Sequence, residues 1–351
     1  MTIVGFHNSH EQVHPAALLA VTQRAEQAGF DAAMCSDHWA PWSVRQGHSG
    51  FAWTWLGAAM ATTQLPFGVV NAPGQRYHPA IIAQAVASLG AMFPGRFWVA
   101  LGSGENVNEH ITGAGWPPKA TRDARLRECV EVIRALLDGE EVTHDGLVTV
   151  DRAKLWTLPD ETPLLIGPAV TPATARAHAA WADGLVTVNQ TPEILRQVVQ
   201  EYRDAGGRGE IALQVHVSWA PDEETALATA REQWRGQVFG PPVAWDLDTP
   251  EAFDTIGEHV GDESVRRSVL VDHDPSRLAD RLSELAAIGF DALYLHQVAT
   301  DAAPDDEKHG DAAPTRTPRS ATLEAFVDMA AEHLLPQLQS GSRRAARHHN
   351  G

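Results

Sequence analysis

The sequence predicts an α/β chain folded as a (β/α)8 barrel with insertions, and three observations lead to that class. Eight short runs with strand character are each followed by a helical period or an insertion. A helix, glycine, strand unit recurs, with Gly29-Phe30-Asp31-Ala32 repeated as Gly289-Phe290-Asp291-Ala292. No G-x-G-x-x-G follows the first strand, which disfavours an open dinucleotide-binding sheet; the nearest match, Gly102-Ser103-Gly104, lacks the third glycine and follows the fourth strand.

Taken in order, TIVGF (2–6) reads as a strand, and PAALLAVTQRAEQAG (15–29) as an amphipathic helix closed by Gly29 at the C′ position. FDAAMCS (30–36), PFGVVNA (66–72), FWVALGS (97–103), PLLIG (163–167), DGLVTV (183–188), IALQVHVSW (211–219) and FDALYLH (290–296) complete the eight strands. Three segments interrupt the alternation. Residues 140–155, with Asp145-Gly146 between alternating runs, predict a hairpin excursion. Residues 237–265 predict a helical insertion, and 299–319 a polar, proline-rich loop before the last helix at 320–338. One barrel domain over 1–339 then leaves 340–351 as a basic, disordered tail.

At 351 residues the length suits one large barrel or two smaller domains, and 44% hydrophobic with 21% charged residues excludes a disordered or fibrous chain. No run of 18 apolar residues appears and the N-terminus lacks a signal-peptide pattern, so no membrane partner and a cytoplasmic location are expected. A net charge of −18 argues against nucleic acid. Only three lysines occur (Lys119, Lys154, Lys308), so an anionic ligand must rely on arginine, backbone amides or helix N-termini. Two cysteines, Cys35 and Cys129, make neither a disulfide framework nor a zinc ribbon, so any redox chemistry belongs to a bound cofactor.

Barrel chemistry sits at the C-terminal ends of strands. The second strand ends in Ser36-Asp37-His38-Trp39-Ala40-Pro41-Trp42, and four of eleven tryptophans fall between 39 and 55. Aromatic walls beside an Asp-His pair suit a flat ring, although the same residues would serve to pack and cap a loop. After the fourth strand comes Gly102-Ser103-Gly104-Glu105-Asn106-Val107-Asn108-Glu109-His110; a helix starting at 104 places Glu105 and Asn108 on one face, with Glu105 either a pocket acid or a carboxylate favoured by the helix dipole. Gly167, Pro168, Ala169, Val170 and Thr171 lead into a helix at 172–181 with Thr171 as N-cap, a weak phosphate signal. His7 and His10 are spaced His-x-x-His, which disfavours a binuclear metal site, and no metal is expected.

SDHWAPW, then FGVVNAPGQRYHPAIIAQAVASLGAMFPGRFWVALGSGENVNEH, then ARLRECVEVIRALLDGE resemble the luciferase-like monooxygenase family, in particular its branch of deazaflavin (F420)-dependent sugar-phosphate dehydrogenases. The likeness is dense over residues 3–150 and traceable through GFDALYLHQV. It implies a (β/α)8 barrel with an insertion and a bound F420 or FMN. By motif it implies His38 as the base taking a substrate hydroxyl proton, Glu105 as the acid beside the ring, and Trp42 at the reacting centre, with a neutral His38 and a protonated Glu105. Asp37, Ser103 and Asn108 match cofactor contacts, and a non-proline cis peptide is implied near Val70-Asn71, behind the ring.

The sequence departs from that branch in two places. TVNQTPE (187–193) and the insertion lack the lysines that receive a sugar phosphate, leaving Arg267 alone, so a neutral hydroxylated substrate is expected. The loop 167–172 lacks the double glycine of relatives, which leaves F420 and FMN both open. The main reading is hydride transfer between a hydroxylated, sugar-like small molecule and F420 or FMN. The alternatives are an FMN monooxygenase fed by a separate flavin or F420 reductase, a cofactor-binding carrier without turnover, and, more distantly, a metal-dependent barrel hydrolase. A homodimer is expected by analogy alone.

Overall fold

The computed structural model describes residues 2–299 and 318–339. Its strands are β1 (Ile3–Asn8), β2 (Ala32–Ser36), β3 (Phe67–Asn71), β4 (Phe97–Leu101), β5 (Val142–Asp145), β6 (Thr149–Ala153), β7 (Leu164–Pro168), β8 (Gly184–Val188), β9 (Ile211–Trp219), β10 (Leu270–Asp272) and β11 (Ala292–Gln297). Eight of them pair in parallel in the order β11-β1-β2-β3-β4-β7-β8-β9, and β9 returns to β11, closing the (β/α)8 barrel expected from the sequence. The hairpin predicted within 140–155 is β5 and β6, paired antiparallel outside the barrel. The three-residue β10, too short to register in the sequence, extends the C-terminal end of β9 by pairing Leu270 with Val217 and Asp272 with Trp219.

The repeated Gly-Phe-Asp-Ala unit has a structural meaning. Gly29 ends helix Pro15–Ala28 with φ +97°, and Gly289 turns at φ +122°, a region open to glycine. The aspartate that follows then ties neighbouring strands. Asp31 accepts from Val4 N at 2.9 Å, Asp291 from Ile211 N at 2.8 Å, and Asp183, in the looser third copy, from Leu165 N at 2.9 Å. Each carboxylate thus satisfies the backbone amide at the start of an adjacent strand and sets its register.

Strand alternation then divides the side chains. Val4, Phe6, Ala33, Cys35, Phe67, Val69, Val99 and Leu101 belong to the large apolar layer shared with the surrounding helices. Ala32, Met34, Ala100, Ile166, Val186, Ala292 and Tyr294 form a separate small cluster inside the barrel, with Trp98 packed against it. Further along the same inward register, β1 presents His7, β9 presents Gln214 and His216, and β11 presents His296, all buried. The interior is therefore apolar toward the strand starts and polar at their C-terminal ends, where a cavity opens.

The insertion at 237–265 is helical as predicted, with helices Val243–Asp246 and Pro250–Gly257, and helix Asp262–Ser268 continues it. Phe253 is fully buried and packs edge-on against Trp42 at 5.2 Å, which fastens the insertion over the end of β2. The last helix begins at Pro318 and includes a π-helical turn at Ala330–Leu334. Most of the 299–319 loop and the whole 340–351 tail lie outside the described residues. Among the described residues no helix is long and apolar enough to cross a membrane. One backbone expectation is corrected: the only cis bond among the described residues is Pro241-Pro242, so Val70-Asn71 is not cis.

Gly68 tests the barrel packing. A Cβ there would lie 1.9 Å from Trp98 Cζ2, so the indole occupies the volume any side chain would need. Gly68→Ala is expected to cost about 1–3 kcal/mol through overpacking, read as a lower urea midpoint at unchanged slope.

Candidate active site

The cavity at the C-terminal ends of the strands has a volume of about 860 Å3, within the size range of small-molecule sites. His38, Trp42 and Glu105 all line it, as do Asp37, Val70, Asn71, Ser103, Asn108, Pro168, Ala169, Val170 and Thr171. Gly167 does not: a Cβ there would meet His178 Cβ at 2.7 Å, so this glycine lets helix Pro172–His178 pack closely on β7. Thr171 is the N-cap of that helix, accepting from Thr174 N at 3.2 Å, and the helix ends at His178, short of the predicted 181.

The loop after β2 is held in place by its neighbours. Asn108 Oδ1 accepts from Trp39 N at 2.8 Å, while Asn108 Nδ2 donates to Glu105 Oε2 at 3.2 Å. One amide therefore couples the two strand ends that carry His38 and Glu105. Trp42 stands edge-on to the His38 imidazole, with ring centres 5.1 Å apart. Asp37 is buried; its Oδ2 accepts from Asn71 Nδ2 at 2.9 Å, and its backbone carbonyl accepts from Arg76 Nη2 at 2.7 Å. Arg76 also meets Glu109, whose Oε2 accepts from Arg76 N at 2.7 Å, so one arginine braces two buried carboxylates.

The sequence reading missed the partner of His38. Glu11, buried in the loop after β1, lies 2.5 Å from His38 Nδ1, and its other oxygen accepts from Ser9 Oγ at 2.7 Å. His38 Nε2 then faces Glu105 Oε2 at 3.8 Å across the cavity wall. Desolvation disfavours the imidazolium, yet the adjacent Glu11 carboxylate outweighs it and raises the His38 pKa above its usual value. Glu11 itself is held well below the ordinary carboxylate range: burial would raise it, but the contact with His38 and the hydroxyl of Ser9 prevail.

Burial raises Glu105, against the pull of His38. That shift biases the carboxyl toward its protonated form. The Glu11 contact shifts His38 toward its charged form, away from the neutral form that the resemblance implied. In the HNSHEQ segment after β1 nothing local sets Glu11 apart from a solvated carboxylate, and the two histidines are its conspicuous residues. Those histidines are buried and pushed down, His7 well below its usual value and His10 to about 4, chiefly by desolvation.

What the site can do follows from this geometry. A carboxylate holding one imidazole nitrogen leaves the other as an oriented proton acceptor, and stabilises the imidazolium that proton transfer creates. A second carboxyl beside it is poised as a proton donor, and the indole of Trp42 limits where a substrate carbon can sit. Asp37 Oδ1, Asn71 Oδ1 and Thr187 Oγ1 are buried without hydrogen-bond partners at the cavity wall, acceptors that fit the polar edge of a flat ring.

Residues 1–292 match the luciferase-like monooxygenase family, and the chain belongs to it. It is therefore an enzyme of an oxidoreductase family. Among curated relatives, an F420-dependent glucose-6-phosphate dehydrogenase of Beutenbergia cavernae is 31% identical, covering 99% of this chain and 100% of that protein. One from Nakamurella multipartita is 33% identical, covering 85% of this chain and 91% of that protein. Among solved structures, an F420-dependent secondary alcohol dehydrogenase in complex with an F420-acetone adduct superposes with a TM-score of 0.83 at 28% identity, covering 96% of this chain and 99% of the other.

Removing the Glu11 charge isolates its effect on the base. In Glu11→Gln the imidazolium loses its partner, so the His38 pKa, above its usual value in the native chain, is expected to fall. Imidazole chemical shifts followed by NMR across a pH titration of the free protein measure this; an unchanged midpoint would show that the pair does not control His38.

Proposed function

We propose that this protein is a deazaflavin- or flavin-dependent dehydrogenase, with F420 favoured over FMN, that oxidises a neutral hydroxylated compound such as a sugar or secondary alcohol. The Glu11-His38 pair facing Glu105 across one cavity carries this reading. The likeness to relatives named for F420 supports the choice of cofactor. The acceptors of Asp37, Asn71 and Thr187 along one wall, with Pro168 to Thr171 along another, fit a ring and its side chain.

The bound cofactor supplies a ring that accepts hydride from the substrate carbon. His38 Nε2 receives the hydroxyl proton as that carbon becomes a carbonyl, and Glu11 holds the positive charge gained at Nδ1. Glu105 delivers a proton toward the ring from its protonated carboxyl. Asn108 keeps Glu105 and the His38 loop in register, and Trp42 with Phe253 shields the reacting centre from water. A base works only when unprotonated, so kcat/KM is expected to fall as pH drops through the raised His38 value.

Two of the cations that line the cavity are paired with neighbouring carboxylates. Arg267 is exposed and turned to Glu263 at 3.4 Å, and Lys119 is paired with Asp123 at 2.8 Å. A neutral hydroxylated substrate fits those groups better than a phosphorylated one. Sugar phosphates are therefore expected to show kcat/KM no higher than their unphosphorylated counterparts.

An absorbance titration with each cofactor, followed by turnover with candidate alcohols, tests the assignment. His38→Ala is expected to keep cofactor binding and lose about 10²- to 10⁴-fold in turnover, the range for removing a positioned base. Full turnover in that variant would refute the mechanism. Oxygen consumption coupled to substrate loss would select a monooxygenase instead.

A further inference from the structure

The cavity floor is a chain of hydrogen bonds with a fixed direction. Inward positions of β1, β9 and β11 bring His7, Gln214, His216 and His296 to it, all of them buried. His7 stacks on His296 with ring centres 4.3 Å apart, and His216 lies 5.1 Å from His296. Burial pushes all three imidazoles down, His7 and His216 well below their usual value and His296 to about 4. Each is therefore neutral, with one donor and one acceptor nitrogen.

Neighbouring amides decide which nitrogen is which. Gln12 Nε2 donates to Gln233 Oε1 at 3.1 Å, so Gln12 Oε1 is left to accept from His296 Nε2 at 3.0 Å. His296 Nδ1 is then an acceptor, filled by Gln214 Nε2 at 3.2 Å, and the second proton of that amide goes to His216 Nε2, also at 3.2 Å. His216 is thereby held with its own proton on Nδ1. Two groups end the chain without a partner. His216 Nδ1 and Gln214 Oε1 make no hydrogen bond among the described residues, and neither atom is sealed in, in contrast to both ring nitrogens of His7. Both side chains line the cavity, so β9 presents it with one donor and one acceptor. The Trp234 ring lines the cavity too and packs on His216 at 4.2 Å, an apolar face beside the polar pair. Strand β9 stands three places round the barrel from β2, whose end carries His38, so the pair is separate from the base.

We propose that His216 and Gln214 recognise a substrate hydroxyl other than the one oxidised, so that the enzyme selects a polyol or unmodified sugar over a simple secondary alcohol; this rests on the dehydrogenase reading above. A hydroxyl can accept from His216 Nδ1 and donate to Gln214 Oε1, while Trp234 faces the C–H surface of the same carbon skeleton. A monohydric alcohol leaves that donor and acceptor unpaired in a desolvated pocket, and such a loss is what lets a hydrogen-bonding subsite discriminate.

The test uses two pairs of alcohols that share a carbon skeleton, glycerol against isopropanol and inositol against cyclohexanol, with the intact chain saturated with F420 or FMN. The polyol of each pair is expected to exceed its monohydric partner in kcat/KM by about ten- to hundredfold, the range for one hydrogen bond to a desolvated group. In His216→Phe, which keeps a ring against Trp234, that preference is expected to shrink about tenfold, chiefly through KM. His216→Asn, whose amide reaches the place of Nδ1, should restore part of it. In protein labelled with nitrogen-15 histidine, the His216 ring signals, assigned by their loss in His216→Phe, are expected to shift with inositol and not with cyclohexanol. These signals decide alone if none of the four alcohols is turned over. Equal kcat/KM within both pairs, a preference kept intact in His216→Phe, or ring signals that ignore inositol overturns the assignment. Weaker cofactor binding in His216→Phe with the preference kept gives the pair to the cofactor and overturns it as well. A native chain that saturates with neither cofactor removes the dehydrogenase reading itself, whereas one that saturates and fails the comparisons loses this site alone.

Discussion

Closure of the parallel sheet is the constraint on which everything else depends. Because all eight barrel strands run the same way, their C-terminal ends meet at one rim, and alternate residues from each point to a common interior. A one-residue slip in any strand would exchange its helix-facing and inward-facing sets, Phe6 for His7 or Cys35 for Met34. The aspartates at 31, 183 and 291 guard against that slip by binding the first amides of adjacent strands. Their effect reaches the site, because the same registers carry His7, His216 and His296 to the cavity floor and His38 to its wall.

That rim concentrates groups that would be unstable singly. Glu11, Asp37 and Glu109 are all buried carboxylates, and Arg76 and His38 are the cations that make their burial tolerable. The division of labour differs between the two. Arg76 braces Asp37 and Glu109 with its charge fixed, so that corner is a scaffold. His38 can lose its proton, so the Glu11 corner is the part of the cluster whose charge can change during a reaction. The titratable edge of the cluster is thus set apart from its fixed ionic frame.

Much of this was legible in the sequence, for reasons that differ between residues. The eight strands and the 140–155 hairpin could be read because period, turn residues and the Gly-Phe-Asp-Ala repeat are local signals. His38, Trp42 and Glu105 follow strand ends, and parallel strand ends meet at one rim, so topology brings all three to one cavity. Glu11 was illegible because its meaning is a contact across 27 residues, and nothing local separates a buried carboxylate from a solvated one. Gly167 erred the other way: a glycine beside a phosphate-like loop suggested ligand approach, whereas the helix behind it required the space.

The distribution of charge around the cavity also explains how a strongly acidic chain can host an anionic cofactor. The net −18 comes from carboxylates in excess of cations, many of them as exposed as Glu263 and Glu332, where solvent screens them. Inside the cavity the balance is set by a few desolvated groups, where each charge acts over a longer range. At the His38 end every carboxylate has a cation or a hydrogen-bond donor, and the neighbouring imidazoles of His7, His216 and His296 are pushed down by burial, so that end favours uncharged groups. At the Trp116 end the Arg122 guanidinium lies over the indole, with the Asp246 carboxylate acting on it. The two ends of the cavity therefore differ in character, with a floor of uncharged imidazoles at one and a buried guanidinium among carboxylates at the other.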